Sequence, residues 1–362
     1  MRCLLAMVVM LLPLSIFSNV ALADDNGKGK VDVEEVVLGH IGDSHEWHIT
    51  TLGSTHITIP LPIIIMDNNG EWHLFSSAKF HKSSTGVYNG FYIPSDGANK
   101  GHVCQKVNGQ ETRVKIDISI TKDVLQLFIV SGLMLWIFIG CARWYKNKSA
   151  DSDAPKGFVG FVEMFVMMVN DDIIKPCIGE KHYRPYTPYL MTAFFFIFLC
   201  NIIGLIPIFP GGANLTGNIA ITLFLALCTF LAINLFGNKE YWLDVFWPKV
   251  PLWLKCPIPM MPVIEFFGVF TKPFALMVRL FANIFAGHAI VLSLTCVIFI
   301  SCQIGVVIGA GLSAVSVVMI IFMDCLELLV AFIQAYVFTM LSAVFIGLAH
   351  QEENPKPELV EE

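Results

Sequence analysis

The side chains most able to do chemistry stand in an apolar stretch that has little room for them. Between Met261 and Ala349 the ionisable residues are Glu265, Lys272, Arg279, His288, Asp324 and Glu327. A charge at mid-bilayer depth costs about 2.5–3.5 kcal/mol on insertion scales, so such residues tend to mark an ion path. Glu265 and Lys272 lie near one end of the stretch and read as residues reaching back to the interface. Arg279 and Glu327 are too deep for that. On a helix, His288 lies about 13.5 Å beyond Arg279 and half a turn round, and Gln334 lies about 10.5 Å beyond Glu327 on nearly the same face. Antiparallel packing of two such helices brings Arg279 level with Gln334 as His288 comes level with Glu327. Arg279 keeps its proton in any protein environment and so serves as a fixed counter-charge, not as a relay. His288 and Glu327 can exchange protons with water and a buried acceptor. This chain supplies no mobile carboxylate at the level of Arg279, so that group is expected from a partner.

The elements that carry these residues follow from composition. The chain has 362 residues, 55% apolar and 14% charged, with 29 Phe and 15 Met. An ordinary globular protein is about 25% charged, so a wholly soluble fold is excluded. Apolar blocks run from Val124 to Ala142, Tyr189 to Phe209, Asn218 to Gly237 and about Met261 to Leu348. Each half of the last block would form a helix roughly 60 Å long, against a hydrocarbon core about 30 Å thick. Either each half breaks into two spans or both helices are steeply inclined, with Gly305, Gly309 and Gly311 offering a turn between them.

Basic residues orient the spans. Arg143, Lys146, Lys148, Lys156, Lys175, Lys181 and Arg184 follow the first, and Lys239, Lys249 and Lys255 follow the third. The segment 210–217 and the stretch around Gln303 to Leu312 have none, which places the basic loops in the cytoplasm. Within the first of them, Gly157 to Ile174 mixes Phe161, Met164, Phe165 and Met168 with Glu163 and Asp171 and reads as an interfacial helix anchored at the surface.

The two ends of the chain differ from its middle. Residues 1–23 read as a secretory signal: Arg2, an apolar centre from Leu4 to Phe17, then Ala21-Leu22-Ala23. Residues 24–123 read as a small β-rich exported domain. His56-Ile57-Thr58-Ile59 and Arg113 to Ile118 alternate as half-buried strands do, and Asn68-Asn69-Gly70 and Tyr88-Asn89-Gly90 supply turns. An exported start needs an odd number of crossings to reach a cytoplasmic tail, the acidic 351–362, and five fit. His40, His45, His48, His56, His73, His81 and His102 fall in this domain. His45 and His48 are flanked by Asp43 and Glu46, yet residues three apart on a strand face opposite sides. No ligand spacing is recognisable, so no metal is assigned and the histidines are placed on a polar face. The cysteines are scattered singly, with no staple or metal pattern. Net charge is −6, and no basic run suggests a nucleic-acid partner.

The run Arg279-Leu280-Phe281-Ala282-Asn283-Ile284-Phe285-Ala286-Gly287-His288 resembles a signature of subunit a of rotary F-type ATP synthases. Glu327-Leu328-Leu329-Val330-Ala331-Phe332-Ile333-Gln334-Ala335-Tyr336-Val337-Phe338-Thr339 resembles its second signature, and the likeness extends over about residues 115–350, including Asn201 to Pro207. It implies an all-α polytopic membrane domain over 124–350, with five crossings that include a long inclined hairpin. It also implies that Arg279 faces the carboxylates of a rotating c-ring, that Asn283 and Gln334 line that surface, and that His288 and Glu327 belong to the half-channel open to the outside. Some members carry the acid and the imidazole in exchanged positions. Asp324 either joins the channel or caps the polar cluster. The implied partners are the c-ring proteolipids, subunit b of the peripheral stalk, the rest of the synthase and the lipid of a bacterial inner membrane. No cofactor is implied. No G-x-x-x-x-G-K-[ST] loop is present, so ATP chemistry falls to other subunits. A self-contained transporter would show internal repeats and broken helices, and no repeat is visible.

Overall fold

The computed structural model describes residues 42–350 apart from 53–54, 83–85, 95–98, 100, 108–109, 147–154, 207–210, 248–259 and 305. The proposed signal segment, His40 and the acidic tail lie outside the described residues. The chain is mostly helical. Among the described residues, five helices are long and apolar enough to cross a bilayer, as expected of a multi-pass membrane protein.

Ahead of the first long helix, the described residues form eight short strands in three antiparallel sheets. Strands β1 (Glu46–Leu52) and β2 (Thr55–Pro60) pair with each other. β3 (Pro62–Met66) lies between β4 (Trp72–Ser76) and β8 (Ile116–Asp117). β6 (Cys104–Val107) lies between β5 (Phe91–Tyr92) and β7 (Gln110–Arg113). In β3 the side chains alternate, with Ile63 and Ile65 fully buried, because successive strand residues face opposite sides. They meet Phe75, Phe80 of the short helix α1 (Ala78–Lys82), Phe91 and Val103 in one small core. The expected continuous strand from Arg113 to Ile118 is instead two strands. Val114 and Lys115 turn away between β7 and β8, their N–H groups bonded to Val103 and Met66 respectively. Asn89 and Gly90 both take positive φ (52° and 83°), the backbone of a tight hairpin turn.

Two compact units divide the chain. The first holds the strands, the start of α2 (Lys122–Lys146), residues 200–218 and residues 284–329 of the two longest helices. Within it, Asn201 accepts from the Thr216 hydroxyl at 2.7 Å, which ties the end of α5 (Thr187–Leu205) to the short 3-10 turn Leu215–Gly217.

The second unit holds residues 134–199, 219–283 and 330–362. Its core gathers Leu190, Phe194, Ile197, Leu276, Leu280, Phe338 and Ile346 with Val169, Ile173 and Ile174. The last three lie on a π-helical turn, Val169–Ile174, that continues α3 (Phe158–Met168) into α4 (Lys175–Ile178). The segment read as a surface anchor is therefore partly core. Its wider turn sends Val169, Ile173 and Ile174 inward, while Phe158, Phe161, Met164 and Met167 stay exposed. Polar contacts join the helices: Tyr189 Oη to Thr229 Oγ1 of α6 (Ile219–Phe236) at 2.8 Å, and Thr229 Oγ1 to Ser342 Oγ at 3.3 Å. The remaining helices are α7 (Lys239–Phe246), α8 (Met260–Ile304) and α9 (Val306–Ala349).

With 45 and 44 residues, α8 and α9 are about 67 and 66 Å long. Neither half of the last apolar block breaks into two spans. Gly309 and Gly311 lie inside α9, and Gly305 lies outside the described residues.

Gly347 on α9 has no room for a side chain, since an added Cβ would lie 2.0 Å from the Cys177 carbonyl oxygen. Gly347→Ala is expected to destabilise the fold by about 1–3 kcal/mol through overpacking, read as a lower Tm of the detergent-purified protein. Gly268→Ala, where an added Cβ meets nothing within 4 Å, is expected to leave Tm unchanged or slightly raised. Equal Tm values for the two variants would contradict the packing described.

Candidate ion-translocation site

Helices α8 and α9 carry all six residues expected at the site, and the structure gathers them into two polar groups. The first lies in the first unit. His288 Nδ1 is 3.3 Å from Glu327 Oε1, with the side chains 21% and 5% exposed. A carboxylate in such surroundings is costly unless its charge is answered or its proton retained, and the imidazole offers both a donor and a proton exchanger. Asp324 stands three residues before Glu327 on α9, half-buried and on the same side of the helix. A second acid within reach of the first lets one proton be shared or passed along.

Sequence reasoning did not single out the residue that allows this approach. A Cβ added to Gly287 would sit 3.0 Å from Glu327 Oε1 and 3.2 Å from its Cδ. The bare backbone of Gly287 is the wall against which the carboxylate rests. Small residues let membrane helices come close, and a glycine directly before the histidine of an apolar helix was the available signal.

The second group lies in the second unit. Asn283 Nδ2 donates to Gln334 Oε1 at 3.0 Å, with Gln334 buried and Asn283 on the exposed side of α8. Arg279 is one turn before Asn283 and exposed, so the guanidinium and the amide share a face. Gln334 thus bonds to Asn283, the residue one turn along α8 from Arg279, while His288 and Glu327 meet at the level read off the sequence. Among the described residues, no carboxylate lies within ion-pairing distance of Arg279. Lys272, placed near the interface by the sequence, rests 5.6 Å over the Phe345 ring, a cation–π contact that answers its charge without a carboxylate.

The histidines ahead of the spans do not all lie on a polar face. His45 is buried, its Nε2 3.6 Å from Asp117 Oδ2. His73 Nε2 is 3.7 Å from Asp67 Oδ2, and its ring leans on Phe91. Asp67, Glu71 and His73 each bring one potential metal-ligand atom to within 4.8 Å of the others. The Asp67 carboxylate, however, already accepts the N–H groups of Asn69 and Glu71 and the Asn69 amide. These bonds, that of the Glu71 backbone foremost, hold its carboxyl below the usual range. Its evident task is to cap the β3–β4 turn.

Comparison with known proteins bears on the helical part of the chain. The family model described as ATP synthase A chain matches residues 124–347. The chain belongs to the ATP synthase A chain family. "ATP synthase subunit a" of Chlorobium phaeobacteroides is 47% identical over 243 residues, 66% of this chain and 67% of that protein. "ATP synthase subunit a 2" of Chlorobium luteolum is 45% identical over 67% of this chain and 69% of its own. "ATP synthase subunit a" of Pelodictyon phaeoclathratiforme is 44% identical over 66% and 67%. A second model, described as a domain of unknown function (DUF8433), matches residues 36–124. As a member of the ATP synthase A chain family, the chain carries a half-buried imidazole beside a buried carboxylate, and an exposed arginine, on the two longest described helices of the matched region.

Gly287→Ala is expected to push the Glu327 carboxylate away from His288 and slow ATP-driven proton pumping about tenfold without loss of assembly. Pumping at the parental rate would show that the close approach is unnecessary.

Proposed function

We propose that this chain is the stator subunit a of an F-type ATP synthase, forming two half-channels that carry protons to and from the carboxylates of a c-ring. The observation that carries the reading is the division of labour on α8 and α9. One group pairs a half-buried imidazole with a buried carboxylate, His288 and Glu327, which can exchange protons, and the other holds the exposed and permanently charged Arg279. Protons enter from the outside by way of His288 and Glu327, with Asp324 as a neighbouring acceptor, and neutralise a ring carboxylate. The neutral carboxylate then rotates through lipid and releases its proton to the cytoplasmic side. Arg279 attracts each returning carboxylate and bars direct passage of protons between the half-channels, because it cannot give up its own. Asn283 and Gln334, bonded to each other, line the surface over which the ring turns. One charge crossing 100 mV yields about 2.3 kcal/mol, so several protons must pass for each ATP made elsewhere in the complex.

The same reading sets the topology. Helices about twice as long as the hydrocarbon core is thick are steeply inclined within it. Residues 1–23 are a cleaved signal, residues 24–123 form a periplasmic β-rich domain, residues 124–350 span a bacterial inner membrane five times, and residues 351–362 are cytoplasmic. Support comes from the basic loops after the first and third spans. The partners are the c-ring, subunit b of the peripheral stalk and the remaining synthase subunits.

Affinity purification in mild detergent is expected to bring down a small two-helix proteolipid and P-loop subunits. Recovery of the chain alone would count against membership in a synthase. Arg279→Ala is expected to abolish proton-driven ATP synthesis in reconstituted liposomes. Coupled synthesis that survives the change would refute the role given to the guanidinium.

A further inference from the structure

Where the strands give way to α2, the chain buries more charge and amide than a helix start requires. Lys122 and Asp123, the first two residues of α2, are 7% and 4% exposed, and Gln126 is completely buried. Residues three apart on a helix share a face, so Asp123 and Gln126 look into one space. Asn218, just before α6, donates its amide to Asp123 Oδ2 at 2.7 Å. Asp123 Oδ1 and both amide atoms of Gln126 are buried with no hydrogen-bond partner among the described residues.

The other side of this cluster comes from the N-terminal domain. Asp43, ahead of β1, accepts the backbone N–H of Asp123 at 3.2 Å and that of Ser44 at 2.9 Å. Lys122 Nζ donates to the Gly42 carbonyl at 2.9 Å. Asp43 and Lys122 are thus the charged groups that face Asp123, one from the N-terminal segment and one from its own helix, with Asn218 as the neutral partner from the third span.

Capping a helix needs one acceptor for an N–H of the first turn, and Asp43 already supplies it. A second carboxylate left with an open oxygen beside an unpartnered amide is costly as pure scaffolding. The open oxygen and the two amide atoms supply the number of polar partners that hold a buried water. A carboxylate with water beside it at the end of a span can take up and release protons.

We propose that Asp123 is a proton-relay carboxylate at the entrance of the outer half-channel, and that the N-terminal domain is part of that entrance through Asp43. This rests on the stator reading above and assigns that domain a task in translocation. Asp43 and Asp123 are like charges, so Asp43 favours retention of the relayed proton, and Lys122 favours its release.

The test uses the assembled synthase in liposomes, with ATP synthesis driven by an imposed proton gradient and the pH varied on the side of the N-terminal domain. Asp123→Asn is expected to slow synthesis about tenfold, and Asp123→Glu to restore most of the rate. Asp43→Asn removes the negative neighbour and is expected to move the pH profile of synthesis toward lower pH by about half a unit or more. A parental rate and profile in Asp123→Asn overturns the relay. An unmoved profile in Asp43→Asn overturns the part given to the domain. Should Asp123→Asn fail to co-purify with the complex, Asp43→Asn and Gln126→Leu decide, since both keep the carboxylate. A shifted profile in the first and severalfold slower synthesis in the second support the relay, and parental behaviour in both overturns it. Arg279→Ala separates the two readings. Synthesis that survives it sinks the stator assignment, whereas synthesis lost there but unchanged in Asp123→Asn sinks the relay alone.

Discussion

A carboxylate held in hydrocarbon must either keep its proton or find an answering group, because the medium gives its charge no other support. Glu327 finds that group in His288, 3.3 Å away, and the requirement reaches well beyond the pair. Both residues must lie on helices, since only a helix satisfies its own backbone in lipid. The helices must come close, and Gly287 provides the space. Arg279, exposed on the same long helix as His288, is a permanent cation, whereas a lysine can lose its charge when buried.

The second unit is organised around the same scarcity of polar partners. Phe194 packs among the rings of Phe165, Phe198 and Phe332. Between the spans, the hydroxyls of Tyr189, Thr229 and Ser342 bond to one another, and Tyr186 meets His350 at 2.8 Å. Dispersion and a few interhelical hydrogen bonds hold membrane helices together, because lipid tails are as apolar as the side chains they would displace. The site residues Asn283 and Gln334 use the same kind of bond within a unit whose other bonds fix the helices that present them.

The N-terminal strands answer to water, and their rules are different. Ile63 and Ile65 alternate with outward residues around a small aromatic core, the turn after β3 is capped by Asp67, and a tight hairpin turn uses Asn89 and Gly90. The strands end at a junction where Gly42, Asp43 and Ser44 bond the outset of α2. That junction joins the strands to a long apolar helix through an exposed carboxylate, Asp43, on one side and the buried Lys122 and Asp123 on the other.

Much of this was legible in the residues. Apolar run lengths located the spans to within a few residues, because a helix that must cross lipid can be nothing but long and apolar. The separation of Arg279 from His288, and of Glu327 from Gln334, marked the candidate site, since helical periodicity is a local property and survives folding unchanged. Other features depended on neighbours that no spacing reveals. The inward turn at Val169 to Ile174, the bond of Gln334 to Asn283, the burial of His45 at Asp117, and the meeting of Asp43 with Asp123 across 80 residues are all choices among partners distant in sequence. Chain chemistry sets what each residue can offer. Only packing in three dimensions decides which offer is taken up, because the energy of a buried polar group depends on the atoms that surround it and not on its position along the chain.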